Sequence, residues 1–361
     1  MDSKLEDKLT KRNEEGTIRS LSFTSASSDF HSNDYLGFSK IKSIEIASSE
    51  NGGTGSRLIS GNSAEAVNCE KSLARFFNAE KALVLNSGYI ANLALFSTLP
   101  QRGDTIIYDE NIHASVRDGI RLSLANSFAF KHNSTEDLLH KIKHASGSIY
   151  IAVESLYSMD GDFAPLAEIV AISNQKNAFL IVDEAHACGV FGENGRGIVD
   201  LLGLNEAVFA KVVTFGKAYG AHGACVLGEK KMIDFLVNFA RPFIYTTAMP
   251  PKEYARIEQM VLWDGLQEQQ HILQQNCAFF RSELNSNYLI SAINSPIQML
   301  RISDIRALKK ISVQLANENI AVKPIFSPTV KKGQESLRIC IHSFNSFTEI
   351  QQLCTILGSF L

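Results

Sequence analysis

Two side chains stand out as able to do chemistry together. Asp183 sits where the apolar run Phe-Leu-Ile-Val gives way to Asp-Glu-Ala-His, and Lys217 lies in Thr-Phe-Gly-Lys-Ala-Tyr-Gly one strand further on. Alone, an aspartate after a strand is as readily a helix N-cap, and a lysine there is a solvated charge. Together they match what pyridoxal 5'-phosphate requires. A lysine amine attaches the aldehyde, and a carboxylate keeps the pyridine nitrogen protonated so that the ring accepts carbanion electrons. The cofactor's phosphate also needs donors. Gly88 and Tyr89 open a helix directly after a strand, where backbone N–H groups meet the positive end of the helix dipole, and Thr214 adds a hydroxyl.

These residues need a scaffold that brings strand ends together. Seven short apolar runs alternate with helical patterns, at residues 82–85, 105–108, 127–130, 148–153, 179–183, 211–214 and 224–227. Such alternation predicts an α/β domain with a mainly parallel seven-stranded sheet covered by helices. Ligands of parallel sheets bind beyond the C-terminal strand ends, where residues 86–89, 154–158, 183–186 and 214–217 are expected to converge on one edge. The expected organisation is an N-terminal segment over 1–45 and a large cofactor-binding domain over 46–250. A Gln/Glu-rich connecting helix over 251–290 then leads to a smaller α+β C-terminal domain over 291–361.

Composition narrows the function classes. The chain has 361 residues, with 35 Lys plus Arg against 38 Asp plus Glu, a formal net charge of −3 that excludes a strongly basic nucleic-acid binder. Hydrophobic residues make up 45%, enough for a large core, and charged residues 20%, too few for a disordered chain. No apolar run approaches a membrane span, and the six cysteines form no Cys-x-x-Cys pair, so neither a metal site nor a disulfide framework is expected. A cytoplasmic protein is expected.

The chain resembles the α-oxoamine synthases, a family of fold type I pyridoxal-phosphate enzymes, over nearly its whole length. The segments that carry the resemblance are HSNDYLGF (31–38), GGTGSRLISGN (52–62), NSGYIAN (86–92), SMDGDFAPL (158–166), DEAHACGVFGENGRG (183–197), VVTFGKAYGAHGA (212–224) and IYTTAMPP (244–251). The resemblance implies that Lys217 carries the cofactor and Asp183 meets the pyridine nitrogen. It implies that His186 bonds the phenolic oxygen, that His113 stacks on the ring, and that Ser158 contacts the cofactor. Thr246 and Thr247 match a segment reaching the phosphate of a neighbouring subunit, which implies a homodimer with shared active sites. Arg338 matches the arginine that clamps the amino-acid carboxylate, and Asn33, Thr329 and Arg19 match substrate-contacting positions. SPIQMLRI (295–302) and SPTVKKGQESLRI (327–339) are most similar to the members that join L-alanine to a pimeloyl thioester, pimeloyl-CoA or pimeloyl-ACP. A member using glycine with acetyl-CoA, and a non-catalytic regulatory subunit that keeps the fold, are the alternatives.

Overall fold

The computed structural model describes residues 3–15, 17–18, 21, 26–40, 51–284, 287–327 and 330–361. The chain opens with α1 (Ser3–Glu14) and a short strand β1 (Ser28–Asp29). Helix and strand then alternate through α2 (Ala64–Phe76), β2 (Lys81–Leu85), α3 (Gly88–Thr98), β3 (Thr105–Asp109), α4 (Ala114–Leu122), β4 (Asn126–Phe130) and α5 (Thr135–Ile142). The alternation continues with β5 (Ile149–Glu154), α6 (Leu166–Gln175), β6 (Phe179–Asp183), α7 (Ile198–Leu201), β7 (Ala210–Thr214) and β8 (Ala224–Gly228). Four helices follow, α8 (Lys230–Phe239), α9 (Arg241–Ile244), α10 (Pro251–Val261) and α11 (Leu266–Glu283). Last come β9 (Ile297–Arg301), α12 (Ile305–Asn317), β10 (Ile320–Ala321), β11 (Lys323–Ile325), β12 (Ser336–Cys340) and α13 (Phe347–Gly358).

The chain forms two compact units. One comprises residues 33–158 and 162–273, the other residues 1–32, 159–161 and 274–361.

The first unit is built on a seven-stranded sheet of order β2-β8-β7-β6-β5-β3-β4. The pairs β3–β4, β3–β5, β5–β6 and β6–β7 are parallel, and β8 is antiparallel to both β7 and β2. Because β2 runs against β8 and β8 against β7, β2 points the same way as β5, β6 and β7. The C-terminal ends of the loaded strands therefore share one edge. Central strands are buried along their length, β7 completely and β5 and β6 after their first residue, which explains their largely apolar sequences. Helix starts are written locally, since Ser63, Ser87 and Ser134 each accept a backbone N–H from the first turn.

The Gln/Glu-rich stretch forms two helices rather than one connector. α10 ends at Val261 and α11 begins at Leu266. Between them the Trp263 ring packs edge-on against Phe38 at 4.9 Å, and a Cβ on Gly265 would lie 2.5 Å from that indole.

In the second unit β9, β12 and β11 form an antiparallel sheet of order β11-β12-β9. β1 pairs in parallel with β10, Phe30 N–H donates to Ala321 O at 2.9 Å, and Cys340 N–H donates to Phe30 O at 2.8 Å. Residues 159–161 join through the Ala292 N–H, which donates to Gly161 O at 3.1 Å. α13 starts with a capping box between Ser346 and Glu349. All six cysteines are buried and unbridged.

Candidate active site

The first unit gathers its polar strand ends around Lys217. The lysine follows β7 in the loop to β8, over residues 215–223, and its Nζ lies 2.8 Å from His186 Nε2. His186 is 5% exposed, and its Nδ1 lies 2.7 Å from the hydroxyl of the fully buried Tyr35. Tyr35 in turn donates to Asn33 Oδ1 at 3.1 Å. The Lys217 loop can approach this N-terminal segment because Gly220, at φ +54°, carries no side chain; a Cβ there would fall 2.2 Å from Ser39 N.

Asp183 ends β6 and is nearly buried. Its Oδ2 accepts from Asn92 Nδ2 at 2.7 Å and its Oδ1 from the Ala185 N–H at 2.9 Å. Asn92 Nδ2 also donates to Ser115 Oγ at 3.0 Å, and that oxygen lies 2.7 Å from His113 Nδ1. One hydrogen-bonded path thus joins the carboxylate to the imidazole of His113. Burial and the positive charge of Lys217 hold the His113 ring below its usual pKa, with the Asp183 charge opposing. The shift favours the uncharged ring, which suits stacking better than ion pairing.

Glu154, at the end of β5, takes the His113 N–H on Oε1 at 2.7 Å and the Ser158 N–H on Oε2 at 3.3 Å. Burial, reinforced by the Asp183 charge, pushes its carboxyl up to about 8, while Lys217 and the two N–H donors oppose the shift. Glu184 points the other way. Its Oε1 accepts from the N–H groups of Ile198 and Val199 at the start of α7, at 2.8 and 3.1 Å, and burial raises its pKa. The two adjacent carboxylates therefore divide, Asp183 to the site and Glu184 to the scaffold, as alternation at a strand end dictates.

The helix α3 begins at Gly88, whose N–H and that of Tyr89 precede any intrahelical carbonyl able to accept them. A Cβ on Gly88 would project to 3.6 Å from Cβ and Cγ2 of the buried Thr214. Glycine here leaves the space beside the helix N-terminus and the Thr214 side chain unfilled. The Tyr89 hydroxyl is turned away, donating to Asp118 on α4. Asn86 Nδ2 donates to Thr247 O at 3.1 Å, which ties the segment holding half-buried Thr246 and exposed Thr247 to the entrance of α3.

In the second unit Arg338 lies on β12, buried, with Nη1 donating to Cys340 Sγ at 3.0 Å. Arg19 and Thr329 lie outside the described residues. Sequence reasoning did not single out Tyr35, Asn92, Ser115 or Glu154 as site residues. Asn92 had a signal, standing four residues after Gly88 and so on the same helix face.

Residues 28–357 match the family described as aminotransferase class I and II. The chain is 39% identical over 394 residues to an 8-amino-7-oxononanoate synthase of Emericella nidulans, covering 99% of this chain and 95% of that one. A solved 8-amino-7-oxononanoate synthase from Francisella tularensis superposes with a TM-score of 0.77 at 30% identity, over 93% of this chain and 97% of its own. A serine palmitoyltransferase from S. paucimobilis, solved with a bound PLP–myriocin adduct, gives 0.87 at 25% identity, over 99% and 96%. The chain belongs to the α-oxoamine synthases, pyridoxal-phosphate enzymes of the aminotransferase class I and II family. The residues fit that cofactor: an amine, a buried carboxylate on the adjoining strand end and a side-chain-free helix start occupy one sheet edge.

Proposed function

We propose that this enzyme condenses L-alanine with the pimeloyl thioester of coenzyme A or acyl-carrier protein, with loss of carbon dioxide and free thiol. The product is 8-amino-7-oxononanoate, an intermediate of biotin biosynthesis. The observation that carries the choice of substrates is the similarity to the Emericella synthase along almost the entire chain. The serine palmitoyltransferase superposes better than the Francisella synthase, with a TM-score of 0.87 against 0.77, but at 25% identity it speaks for the shared scaffold more than for the acyl donor.

In this reading Lys217 would bind pyridoxal phosphate, Asp183 would face its ring nitrogen, and His186 and His113 would meet its oxygen and ring face. Ser158, Thr214 and the N–H groups of Gly88 and Tyr89 complete the set. When bound, the cofactor supplies an electron sink for the carbanion at the amino acid's α-carbon. The protein's own part is to position and to move protons. Arg338 holds the alanine carboxylate with a planar fork of donors, assisted by Asn33 and, by the family resemblance, by Thr329 and Arg19. The Lys217 amine takes the α-proton as general base and later returns a proton to the product. A free lysine is neutral in only about one molecule in 2,500 at neutral pH, so the site must make that proton easy to lose. The Asp183 charge opposes that loss, whereas Glu154, protonated below about 8, adds no second negative charge.

We further propose a homodimer in which Thr246 and Thr247 reach the partner's phosphate site. Ile59 is 86% and Tyr245 71% exposed, and Leu58 lies between Ile59 and Arg57 at 51%. The two segments are joined by the Ala248 N–H donating to Gly55 O at 2.9 Å. Large apolar side chains left exposed on both of these linked segments are what an interface would cover. Among the described residues no helix is long and apolar enough to cross a membrane.

Thiol release tests the substrate assignment. Pimeloyl thioester with alanine is expected to exceed acetyl-CoA with glycine by about 100-fold or more in kcat/KM, about 2.7 kcal/mol, which three or four buried methylenes supply. A preference for acetyl-CoA with glycine would overturn the pimeloyl assignment and leave the cofactor chemistry standing.

A further inference from the structure

The roles above leave two buried side chains of the site without one: Asn92 on α3, 2% exposed, and the fully buried Ser115 at the start of α4. The two helices approach closely here, since a Cβ on Gly119 of α4 would lie 3.0 Å from Asn92 O and 2.9 Å from Phe96 Cβ. Counting donors from Asp183 towards His113 gives their hydrogen bonds a direction. An ionised carboxylate only accepts, so the Asn92 amide turns its nitrogen to Asp183 Oδ2, and a flipped amide would set two oxygens against each other at 2.7 Å. The second Asn92 N–H goes to Ser115 Oγ at 3.0 Å. That hydroxyl, already accepting, spends its own hydrogen on His113 Nδ1, 2.7 Å away. A group that can only donate gives the same answer: the Ser115 backbone N–H also reaches His113 Nδ1, at 3.2 Å, and so caps α4. Both bonds need the lone pair on Nδ1, and the hydrogen of the neutral ring is left on Nε2.

We propose that Asn92 and Ser115 are positioning residues that lock His113 as the tautomer with its hydrogen on Nε2, the charge of Asp183 setting the direction. A ring held in this way has no lone pair at its outer nitrogen. It meets a ligand as a hydrogen-bond donor and cannot compete with Lys217 for the α-proton. Protonating it would place a hydrogen on Nδ1 against the Ser115 N–H, at the expense of the α4 cap, which adds to the burial that already favours the uncharged ring. None of these bonds uses a group that the cofactor needs. Stacking takes the face of the imidazole and not its edge, and an ionised carboxylate has about four lone-pair positions, of which Asn92 and the Ala185 N–H occupy one on each oxygen. The charged groups facing the ring are Asp183 on β6, Lys217 after β7 and Asp118 on α4, and Glu154 on β5 holds its backbone N–H. A change at Ser115 leaves all of them in place.

This inference rests on the cofactor site of the proposed function, and its test reads the imidazole itself. Full-length holoenzyme carrying nitrogen-15 histidine is followed by two-bond proton–nitrogen correlation NMR across a pH series, with His113 assigned from the signals lost in His113→Gln. The wild type is expected to show a bare Nδ1 and a hydrogen-bearing Nε2. In Ser115→Ala the backbone N–H stays and the hydroxyl goes. The ratio of the Nδ1–H to the Nε2–H tautomer is then expected to rise about fivefold, the weight of one neutral hydrogen bond, and the ring's titration to move to higher pH. Asn92→Leu, which keeps the hydroxyl but no longer directs it, should shift the ratio the same way by less, and it decides the matter if Ser115→Ala does not fold. A hydrogen on Nδ1 in the wild type, or variant signals that coincide with those of the wild type, overturn the proposal. Failure of borohydride to trap cofactor on wild-type Lys217 would instead remove the proposed function, and the histidine signals of the purified chain would still report on Ser115 and Asn92.

Discussion

A lysine and an aspartate on neighbouring strand ends mean little until each is given its surroundings. Lys217 stands against a buried imidazole and Asp183 is held at both oxygens. Lys217→Ala should abolish turnover and leave nothing for borohydride to reduce onto the chain; cofactor still trapped on that variant would mean another lysine carries it. Glu154 makes a separate statement through pH. Its folded pKa of about 8 lies above that of an unfolded carboxyl, so between about 4.5 and about 8 the native state keeps a proton that the unfolded chain has released. Stability contributed by this group therefore falls as pH rises through that window. Glu154→Gln, which cannot ionise, should flatten the decline in urea midpoint between mildly acidic and mildly alkaline pH; parallel curves for variant and wild type would show that Glu154 ionises freely. The Asp–Lys pair was legible because its chemistry needs those residue types after strands. Glu154 and Tyr35 were not, because a carboxyl or phenol at a strand end or in a loop has no spacing that announces a backbone N–H or an imidazole brought to it from elsewhere in the chain.

Strands were the most legible elements. The seven apolar runs fall on β2 to β8; in the central strands the cause is burial on both faces, which tolerates few polar residues, whereas β4 at the sheet edge is mostly exposed. What periodicity could not convey was the break at residues 262–265, since Trp263 and Gly265 obey a tertiary contact with Phe38 rather than a local pattern. Nor could it reveal β1, β10 and β11, each too short to carry an alternation. The loops after the strands are tied by a clamp that no motif announced. His132, just past β4, sits 2.9 Å from Asp109 at the end of β3 and 2.9 Å from Asp162 before α6, with the Tyr157 ring edge-on at 4.5 Å. Burial works against its charge, but the two carboxylates outweigh burial and hold the ring protonated up to about 10. A raised histidine stabilises fully below its unfolded pKa of ~6.5 and loses that contribution as pH climbs through its folded value. His132→Leu should therefore cost about 3 kcal/mol at mildly acidic pH, since it strands a buried carboxylate, and the gap in Tm from wild type should close towards pH about 10. A gap constant across that range would mean that packing against Tyr157, rather than the charge, ties the loops.

For the molecule as a whole, the apolar surface around Ile59 and Tyr245 is the feature with the largest stake. Placing a charge there with Ile59→Asp leaves the core untouched, yet should turn a sedimenting dimer into a monomer and remove activity with it; a fully active monomer would refute the shared site. The two units also differ in how the chain assembles them. The first draws on residues 33–158 and 162–273, nearly one continuous length, whereas the second needs residues 1–32, 159–161 and 274–361. During synthesis the first unit's seven strands are all available once residue 228 has emerged, and sequential domains fold as they appear. The N-terminal strand is made early and finished late: Ser28 and Asp29 wait for Ile320 and Ala321, and the Phe30 carbonyl waits for the Cys340 amide. Closing a loop of that length precedes any reward from the contacts it permits. The ribosome-bound chain therefore carries a completed sheet, with its lysine loop already turned, well before the unit holding Arg338 can exist.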